Sequence, residues 1–302
     1  MKTERIGLIE IGSTNVFVQR IFLAGIILAL PASGFGAEAQ SGRGAPSGET
    51  SQKQESAAQP GQNESAPVQM MEQHALDRLK QMSETLRAAK AFTVRSRSTV
   101  EVGAKTGQHV TLLGNSEVAL ERPNKLRVKV TGEVPNFDFY YDGKNMAAFA
   151  ANNKVYSIDR APETIDELLN IVEDKSGIHF ATADVMFSDP YSVLTRDLTS
   201  AFVVGSATVD GSPCEHLAFK SRGVHWEIWV ETGEKALPRY LAVTYAAVQN
   251  FPRFLVEFSN WNLQPALTPD SFVFSPPSEA KKIEFRPPPP TPTGRQQKGV
   301  KE

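Results

Sequence analysis

The chain has 302 residues, with 32 Lys+Arg, 34 Asp+Glu and a formal net charge of -2. Its hydrophobic and charged fractions, 40% and 22%, are those of an ordinary soluble protein, and the charge balance excludes a nucleic-acid binder held by bulk positive charge. A single cysteine, Cys214, excludes an internal disulfide framework and a cysteine-only zinc site, and no apolar run reaches the ~18 residues of a membrane-spanning helix.

Lys2, Arg5 and Arg20 precede the apolar run from Ile21 to Leu30, which Pro31 breaks. Ala37-Glu38-Ala39 has the small-x-small form that a signal peptidase accepts. Residues 1–39 therefore read as a signal peptide for export to the periplasm. No cysteine follows the apolar run, so a lipid-modified N-terminus is not expected; the lone thiol has no partner within its own chain, and no disulfide-linked subunit is expected. Residues 40–68 lack aromatics and are dense in Ser, Gly, Gln, Glu and Pro, a composition that cannot bury enough surface to order itself and reads as a linker. Residues 287–302 open with Pro287 to Pro290, which favours a polyproline II tail. The expected folded domain is 69–286.

Within it, Ala75, Leu79, Met82, Leu86 and Ala89 form one helical stripe, with Asp77, Arg78, Lys80, Gln81 and Glu84 assigned to the wet side. The period then changes to two. Phe92, Val94, Ser96, Ser98, Val100 and Val102 point one way. Leu126, Val128 and Val130, then Phe137, Phe139 and Tyr141, then Phe254, Val256 and Phe258, alternate with polar residues. This is the pattern of antiparallel strands with one apolar face. Asp142-Gly143, Asn152-Asn153 and Asp210-Gly211 suit tight turns. Placing Arg222-Gly223 at a turn pairs Phe219 with Trp226, Leu217 with Ile228 and Glu215 with Val230, and on the other face Lys220 with His225, Ala218 with Glu227 and His216 with Trp229. A second helix is expected from Pro162 at its first turn through Ile165, Leu168, Leu169 and Val172 to Gly177, and a third near 190–198. Roughly ten strands and three helices without strand–helix alternation predict an α+β, mainly β fold: one large curved antiparallel sheet with helices against its concave face.

Five motifs in order carry a family resemblance: Phe139-Tyr140-Tyr141-Asp142-Gly143-Lys144, Thr164-Ile165-Asp166-Glu167-Leu168-Leu169, Val209 to Phe219, His225-Trp226-Glu227-Ile228-Trp229 and Leu237-Pro238-Arg239. Together they resemble DUF2092, a family of predicted periplasmic proteins of unknown function, over about residues 70–285. That family is in turn similar to the lipoprotein-carrier superfamily of LolA, LolB and the N-terminal part of RseB. The resemblance implies an open half-barrel closed by helices, whose concave apolar surface takes acyl chains. The ending Pro269-Asp270-Ser271-Phe272-Val273-Phe274 resembles how those chains finish their last strand. The carriers' cargo-handling residues have no position-by-position match here, so none is transferred.

Leu126, Val128, Val130, Phe137, Phe139, Phe219, Trp226, Ile228, Phe254, Val256 and Phe258 are the candidate lining of such a cleft. They serve equally as core under the helices. Cys214-x-His216 with Glu227 and Glu231 on the facing strand offers the elements of a metal site, although Cys214 also reads as a small strand residue beside the Asp210-Gly211-Ser212-Pro213 turn. Gly-x-Ser-x-Gly, His-Glu-x-x-His and P-loop patterns are absent from the sequence. Lys125, Arg127 and Lys129, with Arg95 and Arg97, form a basic stripe suited to a solvated outer face, to anionic headgroups or to an acidic partner. The sequence thus points to an exported, non-enzymatic carrier of a lipid, a lipoprotein acyl chain or another hydrophobic envelope ligand. The alternative is a protein-interaction or envelope-sensing module resembling RseB. No cofactor, metal or nucleic acid is expected.

Overall fold

The structure, a computed structural model, describes residues 70–104, 106–133, 136–176 and 182–284, except for the side chains of 172–176. The expected signal peptide, linker and proline-rich tail, and with them Gly177 and His179, lie outside the described residues.

Two meanders make the sheet. The first comprises β1 (Ala91–Gly103), β2 (His109–Glu121), β3 (Lys125–Gly132), β4 (Phe137–Tyr141), β5 (Asn145–Ala150) and β6 (Val155–Arg160). The second comprises β7 (Leu198–Val209), β8 (Ser212–Ser221), β9 (Val224–Glu231), β10 (Pro238–Thr244) and β11 (Arg253–Asn262). In each, strands pair with their neighbours in sequence, as short turns dictate. Pairing of β1 with β11 joins the meanders, and β12 (Lys281–Lys282) adds to β6, giving an unclosed twelve-stranded sheet. All pairings between these strands are antiparallel except β12 with β6, which is parallel.

The expected turns are present. Asp142 accepts from the backbone N–H groups of Lys144 and Asn145 at 2.8 and 2.7 Å. Asp210 and Gly211 both adopt positive φ, as a primed hairpin turn requires. The β8–β9 register agrees pair for pair with the one read from the Arg222-Gly223 turn.

Among the described residues, three α-helices flank the sheet: α1 (Gln73–Ala88), α2 (Ile165–Ser176) and α3 (Pro190–Leu194). On α1, Ala75, Leu79, Met82 and Leu86 are fully buried, each of the larger ones contributing about 1.5–3 kcal/mol. Two sequence expectations are corrected. Arg78 does not lie on the wet side: it is only 8% exposed. It stands three residues from Ala75 and four from Met82, so it borders the buried stripe. Pro162 is not in the first turn of α2. The helix starts at Ile165, the Thr164 hydroxyl accepts from the Glu167 N–H at 3.2 Å, and Pro162 instead offers its carbonyl to the Tyr141 hydroxyl at 2.8 Å. Burial, with the nearby carboxylates of Glu167, Asp142 and Glu163, pushes that phenol up to about 12.

The ending also differs from expectation. Pro269–Phe272 is a 3-10 turn rather than a strand. Phe274 then packs on Tyr140, Phe149 and Tyr156, with ring centroids 5.4, 5.7 and 5.6 Å apart. Since Tyr140 and Tyr141 point to opposite faces, this C-terminal segment covers the side of the sheet away from the main core.

Candidate functional site

The register places every candidate lining residue on one face. Across the sheet, the rows run Phe219–Trp226–Val243–Phe254 and Leu217–Ile228–Leu241–Val256 in the second meander, and Leu120–Leu126–Tyr141 and Val118–Val128–Phe139 in the first. Phe258 and Val256 meet Ser96 and Ser98 on the same side at the joint. Leu126, Val128, Phe137, Phe139, Phe219, Trp226, Ile228, Phe254, Val256 and Phe258 are buried, and Val130 is partly buried against them. Phe219 and Trp226 stack with centroids 4.1 Å apart and planes 15° apart. The helix stripe of α1 and residues Ile165, Leu168 and Leu169 of α2 join the same cluster.

The cover contains polar joints that periodicity did not reveal. Arg78 donates from Nη1 to Gln81 at 2.6 Å, and its Nε lies 3.1 Å from Glu215 Oε2 in ion-pair contact without hydrogen-bond geometry. His74 Nε2 meets the other oxygen of Glu215 at 2.7 Å. Ser83, on the buried side of α1, accepts from the Tyr191 N–H of α3 at 2.9 Å. Glu72 takes the Val203 N–H at 3.0 Å. On the sheet, Ser96 and Ser116 hydrogen-bond to each other at 2.6 Å within the apolar field. Arg122 donates to the carbonyls of Met186 and Phe187 at 3.2 and 2.9 Å, tying the segment before α3 to the β2–β3 turn. Burial lowers its guanidinium pKa, against the opposing pull of Asp166.

The elements of the metal reading separate. His216 stacks on Trp229 with centroids 3.9 Å apart and meets Glu227 at 2.9 Å. Glu231 is engaged by Arg239, whose Nε donates at 2.6 Å. The Cys214 thiol is buried and points to the Ser212 carbonyl at 3.4 Å. Among the described residues, no group of three His, Cys, Asp or Glu side chains is arranged to hold a metal ion.

The basic stripe lies on the opposite face. There a groove of roughly 510 Å³ runs over β11, β1, β2 and β3. One strand irregularity shapes it. Asn260 has φ 54, and the β1–β11 register shifts between Thr93 and Arg95. The resulting bulge turns Trp261 toward the core, where it meets Phe92 at 5.5 Å and Phe258 at 5.9 Å and donates to the Pro238 carbonyl at 2.9 Å. Asn260 and Asn262 are left on the groove.

A family model described as "Predicted periplasmic protein (DUF2092)" matches residues 75–286. The chain belongs to the DUF2092 family. No curated protein matches it. Among solved structures, this DUF2092 protein is similar to lipoprotein LppX of Mycobacterium tuberculosis, at 13% identity and a TM-score of 0.41 over 64% of this chain and 97% of that one. It is similar to a LolA superfamily protein from Nitrosomonas europaea, at 12% identity and 0.33 over 66% and 97%. It is also similar to a chain of the Pseudomonas aeruginosa MucA/MucB complex, at 17% identity and 0.38 over 70% and 63%. Among the described residues, no helix is long and apolar enough to cross a membrane.

Proposed function

We propose that this protein is an exported, non-enzymatic binding or carrier protein that holds a lipid, a lipoprotein acyl chain or another hydrophobic envelope ligand against the apolar face of its sheet. The observation that carries this reading is the continuity of that face. Leu126, Val128, Val130, Phe137, Phe139, Phe219, Trp226, Ile228, Phe254, Val256 and Phe258 come from five strands of both meanders and stand on one side. Part of their cover is α1, whose contacts include polar joints at Arg78 and Ser83. Displacing α1 would exchange helix–sheet contact for ligand–sheet contact. Each acyl methylene buried there contributes about 0.8 kcal/mol, so a single chain offsets much of the lost helix packing. The family description as periplasmic agrees with export.

Native mass spectrometry of protein purified from the periplasm without detergent, followed by lipid extraction, tests the reading. A stoichiometric added mass that extracts as lipid is the expected result. Added acyl ligand should also change the emission of Trp226 by disturbing its stack on Phe219. A ligand-free mass together with emission indifferent to acyl ligands would sink the proposal.

One observation favours the interaction-module alternative. Among the described residues, the segment before α1 meets β7 at Ala201 and at the Val203 N–H, and Val204, Gly205 and Ser206 beyond it are exposed. Such an edge accepts an added strand. Crosslinks from this edge to one envelope protein, with no lipid bound, would replace the carrier reading.

A further inference from the structure

The groove on the polar face is separate from the proposed apolar site and has its own chemistry. Its floor and walls follow from side-chain length. One row across four strands is Asn262–Thr93–Ala119–Arg127, and the next is Ser259–Arg95–Glu117–Lys129. In the first row the short Thr93 and Ala119 stand between the longer Asn262 and Arg127, so the sheet surface dips. Four strands at about 4.8 Å spacing make the dip about 14 Å wide. Val94 and Val118 border it while their side chains are buried on the far face.

Charge then selects the occupant. Arg95, Arg127 and Lys129 face the groove against one carboxylate, Glu117, an excess of two positive charges. Glu117 is engaged with Arg95 at 3.4 Å, which leaves Arg127 and Lys129 as the available pair. Arg127 is held over the Tyr140 ring, 5.1 Å from its centroid, so its guanidinium is positioned rather than free to sweep. Asp138 pairs in register with Lys129 from β4 and is the competing anion. A phosphate group, close to dianionic as a free monoester and singly charged as the diester of a phospholipid headgroup, accepts from guanidinium and ammonium donors together. The volume, roughly 510 Å³, is that of a small-molecule site rather than of a bare ion. The remaining lining, the amides of Asn260 and Asn262 and the Thr93 hydroxyl, suits ligand hydroxyls.

We infer that this groove binds a phosphorylated polyol, with Arg127 and Lys129 taking the phosphate and Asn260 and Asn262 the hydroxyls. Such a group is presented by a phospholipid headgroup or by a free sugar or glycerol phosphate.

The test uses the full chain with two probes: glycerol 3-phosphate in calorimetric titration, and co-flotation with vesicles of phosphatidylglycerol against phosphatidylcholine. Arg127→Gln should weaken binding about tenfold or more. Ala119→Leu fills the floor without changing charge and should block binding. Asp138→Asn removes the competing anion and should tighten it. Binding of the soluble probe with these responses identifies a free phosphorylated polyol. Binding only to phosphatidylglycerol vesicles, with the same responses, identifies a lipid headgroup. Binding of neither probe, or binding that Arg127→Gln and Ala119→Leu leave unchanged, overturns the inference. Because the groove and the apolar face are on opposite sides of the sheet, either result leaves the carrier proposal to be judged on its own test.

Discussion

Arg78 Nε on α1 stands 3.1 Å from Glu215 Oε2 on β8, so the helix that covers the apolar face is fastened to the sheet through a charge that is itself almost buried. The two partners are not equivalent. Glu215→Gln leaves a buried guanidinium without its counter-charge and should cost about 2 kcal/mol, whereas Arg78→Met removes the charge and keeps the packing of its stem, and should cost less. In a double-mutant cycle followed by urea unfolding, the double variant is expected to be close to Arg78→Met alone. Equal, additive losses would show that the pair is not coupled.

Asp138 makes stability depend on pH. Burial raises its carboxyl pKa above 3.8, against the opposing charges of Lys129 and Arg127. A folded acid with a raised pKa holds its proton where the unfolded chain has already lost it. Its favourable contribution is therefore present below the unfolded value and is lost as pH rises through the folded one. Asp138→Asn removes this loss. Relative to wild type, the variant should gain stability as pH is raised through and just above the ordinary carboxylate range and stay level at neutral pH. A stability difference constant over that range would contradict the burial argument.

Gly132 and Gly103 form a matched pair of tests. At Gly132, φ is 132 and an added Cβ would collide with the Leu113 carbonyl oxygen and press on Gly114. At Gly103, nothing lies within 4 Å of an added Cβ. Gly132→Ala should cost about 1–3 kcal/mol, and Gly103→Ala should be near neutral or slightly stabilising. Thermal unfolding of both variants checks this contrast.

Burial, and after it the neighbouring Glu231, hold the Cys214 thiol above its ordinary pKa. The thiolate is the reactive form. Alkylation at about pH 8 should be at least about tenfold slower than in urea-unfolded protein. Native labelling at the unfolded rate would mean that the β7–β8 end opens readily.

The sheet was legible in the sequence wherever apolar alternation met a strong turn signal. The β8–β9 register could be derived because a one-residue slip would send Phe219, Trp226 and Ile228 to water. Arg78 was illegible because a charged residue beside a buried stripe is usually solvated, and its burial becomes tolerable through the Glu215 carboxylate across the joint and the Gln81 side chain on its own helix. The Asn260 bulge was illegible because a left-handed asparagine leaves no periodic mark. It also reverses the facing of Trp261 relative to simple alternation from Phe258. The ending was misjudged because it was read from the family resemblance: Phe274 packs on aromatic rings of the outer face and Phe272 takes the Lys125 ammonium over its ring. For the apolar residues, strand facing could be read directly. Their proposed role as ligand lining could not, since the same spacing serves a core.

The joining of two meanders along β1 and β11 has a consequence for how the chain finds its fold. Nearly every other pairing of long strands is between chain neighbours and closes only a short turn. The β1–β11 pairing brings Val100 beside Phe254 and Ser98 beside Val256, and so closes a loop of most of the described chain. Loop-closure entropy therefore concentrates in that one pairing, which should form late and limit the folding rate. In a circular permutant of residues 70–284 opened between β6 and β7, with its old ends linked, β11 would precede β1 by 43 residues plus the linker, a shorter closure than the native one.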